Sequence, residues 1–175
     1  LILTDSIIIV DEIGKVAAAT NTALAAKNFP HSVYYMYGHP KEVNQRLQEM
    51  TDSPTEGNKK FPLIWLFTDI MIERNLVGLY GQTKLRFLIA NYTEGHYRAD
   101  QRTSLNFIPV LHPIKEEFIN QLFLHKQFTN ENEVEFAETD MYYYGSQLND
   151  KNVLNDRIDA IELRNVKLTI KLPIC

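Results

Sequence analysis

The sequence predicts a single α/β domain of the α+β type, with helices packed on a sheet. Three stretches carry that expectation. Residues 85–91 (LRFLIAN) have the composition of a strand, and residues 61–67 (FPLIWLF) form an unbroken apolar run too short for a typical helix. From residue 113 onward, Ile114, Phe118 and Leu122 fall at i, i+4 and i+8, with Ile119 and Phe123 widening the stripe and Lys115, Glu116, Asn120 and Gln121 opposite. That is an amphipathic helix, and Pro113 suits its first turn because the missing N–H would be unpaired there anyway. At 175 residues and 45% hydrophobic content the chain can bury one ordinary core, and two domains would be cramped.

Taken in order, Thr4, Asp5 and Ser6 offer side chains that cap a helix start, and Ile9, Ile13, Val16 and Ala17 follow at helical spacing. A helix over 6–27 is expected, its Ala-rich part sustaining propensity despite Gly14. Phe29 and Pro30 stop it. Residues 33–37 (VYYMY) read as a strand ended by Gly38, and Val43, Leu47 and Met50 give the next segment one apolar stripe, a short helix. Residues 51–60 read as an exposed turn. The 61–67 run is expected to be a strand buried on both faces, with Pro62 at its start and Trp65 in the core. Residues 68–83 are ambiguous: DIMIERNL, at 69–76, could extend a strand or make a short helix, and VGLYGQT, at 77–83, looks like a mobile loop. Gly78, Gly81 and Lys84 depart from phosphate-loop spacing, and Lys84 leads into a strand where that motif needs a helix.

After the 85–91 strand, a polar loop is expected over 93–106 and extended chain over 107–111. MYYYG, at residues 141–145, reads as a second aromatic strand within an acidic, polar stretch. Over 159–172 the apolar residues change phase, from Ile161 and Leu163 to Val166, Leu168 and Ile170. A strand changes phase only through an irregularity, so Arg164 and Asn165 should form a bulge or tight turn.

Composition excludes several classes of function. The net charge is −4, with 18 basic residues scattered along the chain. Proteins that grip nucleic acid by many phosphates concentrate Lys and Arg on one face. The lone Cys175 forms no internal disulfide and no cysteine pair for zinc. The run at 7–10 is too short for a signal peptide and is flanked by Asp5 and Asp11, and no stretch approaches the length of a membrane span. The five histidines, His31, His39, His96, His112 and His125, lack metal-ligand spacing. No metal, cofactor or catalytic residue is expected. The best enzymatic constellation is His96, Asp100 and Arg102, in which His96 and Asp100 share one loop. The simpler reading pairs Asp100 with Arg102 as a salt bridge that orders the loop or meets a neighbouring subunit, with Tyr92 and Tyr97 beside it for stacking. The clusters Tyr34, Tyr35, Tyr37 and Tyr142, Tyr143, Tyr144 lack a basic groove, so sheet packing and protein contact suit them better than base stacking.

The phrases FPLIWL, LRFLIANYT, YRADQR, FIPVLHPIKEEFINQL and DAIELRNVKLTI, spanning about residues 61–170, resemble the tail completion or tail terminator proteins of long-tailed bacteriophages. The resemblance implies a small sandwich of a mixed or antiparallel sheet with helices packed on one face. It also implies a ring, commonly a hexamer, that ends the tail tube and joins it to the head connector in the virion neck, after assembly in the host cytoplasm. The partners implied are further copies of the chain, the tail tube protein and head-connector or neck proteins. DNA passes through the lumen without specific binding, no membrane is involved and there is no catalysis. By position, a long 69–84 loop and the 93–106 loop resemble those that such rings use toward neighbours, and Glu73, Arg74, Tyr97, Arg98, Asp100 and Arg102 are the expected subunit-interface residues. Two alternatives stand beside this reading: another neck or tail-tube adaptor, and a small cytoplasmic enzyme using His96, Asp100 and Arg102.

Overall fold

A computed structural model describes residues 6–53, 55, 57–74, 80–129, 135–145 and 156–171. Its centre is a seven-stranded mixed sheet in the order β1-β2-β4-β7-β5, with β3 pairing to β4 and β6 to β7. The strands are β1 Tyr34–Gly38, β2 Leu63–Phe67, β3 Met71–Arg74, β4 Tyr80–Tyr92, β5 Phe128–Thr129, β6 Ala137–Tyr144 and β7 Ile158–Lys171. β1 and β2 run parallel, and the other pairs are antiparallel. The helices are α1 Ser6–Ala26, α2 Pro40–Asp52, α3 Ala99–Arg102 and α4 His112–Leu124, with a π-helical segment Thr103–Leu111 joining the last two. None of the described helices is long and apolar enough to cross a membrane.

The α/β class holds, and the helices do pack against the sheet. α1 and α4 lie together on one face, where Ile9, Ile13, Val16, Ile114, Phe118 and Leu122 meet Ile64, Leu66, Phe87, Ile89, Ile161 and Leu163. The arrangement on one face needs correcting, because α2 covers the other: Val43 and Leu47 pack there with Leu63, Trp65, Leu88, Ala90 and Ala160. β2 is buried at every position, as a strand between two helical layers must be. Trp65 is 1% exposed, stacks on Phe67 at 4.3 Å and donates from Nε1 to the Gly38 carbonyl at 3.0 Å. His39 caps α2, its Nδ1 accepting from the Lys41 N–H and its own N–H donating to Glu42.

Several expectations for individual segments are corrected. Within 69–84, Met71–Arg74 takes the strand alternative, as an edge strand, and β4 already begins at Tyr80, so the stretch is not one loop; residues 75–79 lie outside the described set. The 93–106 stretch is not wholly loop, since helix begins at Ala99. Residues 107–111 are helical rather than extended. There the His112 N–H bonds to the Phe107 carbonyl five residues back, and this wider turn accommodates Pro109, which has no N–H to give. Pro113 therefore sits inside a run of helix that started earlier, and Phe123 points outward, 53% exposed.

The phase change in β7 is a bulge. Leu85 pairs with Val166 and Phe87 with Leu163, so Arg164 and Asn165 together oppose Arg86. Asn165 takes up the extra length at φ 54°, in the left-handed region that Asn tolerates better than most residues. Both apolar phases thereby face α1 and α4.

Candidate functional site

β4 ends at Tyr92, and the chain then wraps around one guanidinium. Arg102, in the last turn of α3, donates from Nε to the Tyr97 carbonyl at 3.0 Å and from one terminal nitrogen to the Glu94 carbonyl at 2.7 Å. The other terminal nitrogen reaches Thr93 Oγ1 and Asp159 Oδ1, each at 2.8 Å. The Tyr143 ring lies 3.4 Å from the guanidinium carbon, and its hydroxyl donates to the Gly95 carbonyl at 2.8 Å. Asp159 is equally committed: Oδ1 also accepts the Tyr143 N–H and Oδ2 accepts from Asn106 Nδ2. Asn106 in turn accepts from Asn91 at 2.7 Å. Arg102 is 1% exposed and Asp159 is fully buried, so the pair is a closed internal clamp in which the guanidinium makes four hydrogen bonds.

This geometry redistributes the expected site residues. Arg102 pairs with Asp159 and not with Asp100, and it is not available to a neighbouring subunit. Asp100 sits exposed in the first turn of α3, where a carboxylate favours the helix start. Arg98 is also exposed; its backbone N–H donates to Gln101 Oε1 at 2.9 Å. Tyr97 is half-buried with the His96 ring edge-on to it at 4.9 Å. No hydrogen bond or ion pair joins His96 to Asp100, so the catalytic constellation does not assemble. Tyr97, Arg98 and Asp100 do form one surface, held in place by the Arg102 clamp beneath them.

Glu73 and Arg74 belong elsewhere. They lie exposed on β3, opposite Gln82 and Gly81 near the start of β4, whereas the Arg102 clamp follows the end of that strand. Large apolar side chains also reach the surface near the clamp. Leu105 and Ile108, from the π-helical segment, are 54% and 61% exposed, and Tyr142 bonds to the Thr103 hydroxyl at 2.9 Å.

Sequence reasoning missed Asp159, Asn106 and Glu162. A signal existed: Asp159 shares the apolar phase of Ile161 and Leu163, and a carboxylate there demands a cation. Other buried carboxylates are likewise paired. Glu117 accepts from Gln121 at 2.7 Å and from Lys27 at 2.6 Å, and those donors hold its carboxyl below the usual range despite burial. Burial pushes the Glu12 carboxyl up, but Lys15 at 2.6 Å and His125 at 2.7 Å outweigh it and bring it below the ordinary value. Among the described residues, no three His, Cys, Asp or Glu side chains gather as a metal site requires. Neither a protein-family model nor a curated protein matches the chain.

Proposed function

We propose that this chain is a structural subunit of the neck of a long-tailed bacteriophage, closing into a ring that ends the tail tube and joins it to the head connector, without catalysis. The observation that carries the reading is the separation of two exposed polar patches along β4. Glu73 and Arg74 lie beside its first residues, and Tyr97, Arg98 and Asp100 lie beyond its last. The strand from Gln82 to Tyr92, which separates them in the chain, spans roughly 34 Å at about 3.4 Å per residue. Rings are built from heterologous contacts, in which one patch of each subunit meets a different patch of the next. A subunit with dissimilar patches at opposite ends of one long, well-paired strand suits that arrangement. The internal pairing of Arg102 with Asp159, Glu117 with Lys27 and Glu12 with His125 adds support, because these groups are engaged within the subunit. A net charge of −4 suits a lumen through which DNA slides.

The test is the mass of the 20.3 kDa chain by light scattering on a sizing column, with negative-stain images of the same peak, alone and with tail tubes. The expected result is a closed ring, either in solution or on tube ends. A monomer at every concentration that also leaves tube ends bare overturns the reading.

A further inference from the structure

The sheet face that α2 covers only in part carries a groove of about 370 Å³, lined by Lys84, Arg86, Met141, Glu162, Arg164 and Asn165. Glu162 is buried in it, its side chain 1% exposed. Arg86 grips Oε1 through Nε and a terminal nitrogen, and Arg164 donates from Nε to Oε2 at 2.7 Å. The Phe67 ring, 4.1 Å from the Arg86 guanidinium carbon, fixes the plane of that fork. The β7 bulge opposite Arg86 brings Arg164 to the same carboxylate. Glu162 thus orients two guanidinium groups without using them up. Their side chains remain 48% and 51% exposed, and among the described residues Arg164 bonds through Nε alone. Lys84 is exposed and makes no ion pair among the described residues. Three cations against one carboxylate leave the groove two positive charges in excess, on a chain that is negative overall.

We propose that this groove is an oxyanion site that takes the carboxylates of an acidic protein segment. Guanidinium forks pair with carboxylates through parallel N–H donors, and the bonds are charge-assisted. Met141 gives the groove an apolar wall, which suits a carboxylate carried on methylene groups better than a bare tetrahedral ion. The volume admits two neighbouring acidic side chains, whose charges cancel the excess. The site stands on its own geometry and does not depend on ring formation.

The test uses the full chain, labelled with nitrogen-15, titrated with glutarate at constant ionic strength and, in parallel, with inorganic phosphate. Saturable resonance shifts confined to residues 84–86, 141 and 162–165 are expected, with glutarate the tighter ligand. Lys84→Ala and Arg164→Gln, both at exposed side chains, should each weaken glutarate binding about tenfold, the loss of one charge-assisted bond, with the thermal melt confirming an intact fold. Absence of saturable shifts in the unaltered chain overturns the proposal, as does binding that both variants leave unchanged. Phosphate binding as tight as glutarate or tighter overturns the assignment to an acidic protein segment.

Discussion

Arg102 ties together four segments: the turn after β4, α3, β6 and β7. Arg102→Ala should therefore destabilise the isolated subunit by about 3–5 kcal/mol, because it leaves Asp159 charged and buried without its cation. Chemical denaturation of the subunit measures this, and a loss confined to assembly with an unchanged melt would contradict it. The sequence shows that Arg102 sits beside tyrosines and an acid, but not which acid. Asp100 is two positions away and Asp159 is distant in the chain, and only the antiparallel pairing of β4 with β7 brings the distant one closer in space. Glu117 makes a second prediction at this scale. Its carboxyl, held low by Gln121 and Lys27, contributes stability that is full above the unfolded value of about 4.3 and is lost as pH falls through the folded value. Denaturation midpoints at about pH 6 and about pH 3 should converge more closely in Glu117→Gln than in the unaltered chain.

The two irregular elements differ in how legible they were. The β7 bulge was visible because apolar residues record phase: Leu163 and Val166 cannot face one core on a regular strand. Asn165→Val should cost about 1–3 kcal/mol, since a β-branched residue resists the left-handed backbone, whereas Asn165→Gly should be nearly neutral. Equal losses in both variants would place the importance of Asn165 in its side chain. The π-helical segment was not visible, because Pro109 between Ile108 and Val110 reads as a helix break on intrinsic preference. Burial explains why helix prevails there. Phe107, Val110 and Leu111 continue the same stripe as Ile114, Phe118 and Leu122, and covering the sheet outweighs one awkward residue.

For the whole molecule, the order of strands and helices was largely readable from periodicity, while the placement of helices on two faces was not. α2 carries an apolar stripe like that of α4, and nothing local to either states which side of the sheet it will meet. The proposed ring gives this scale its prediction. Arg98→Glu and Glu73→Arg, each reversing one exposed charge at one end of β4, should each lower the assembled mass in light scattering while the subunit melt stays within about 0.5 kcal/mol. The separation of the two patches has a further consequence when altered and unaltered subunits are mixed. In the proposed ring, a subunit damaged at one end keeps the other, so it would join a growing arc and then block the next addition. Such a variant would be a chain stopper rather than a bystander. If the ring forms as proposed, a minority of stoppers would spoil most rings, since each closed ring needs every member sound, and the defect would be dominant in mixtures of altered and unaltered chains.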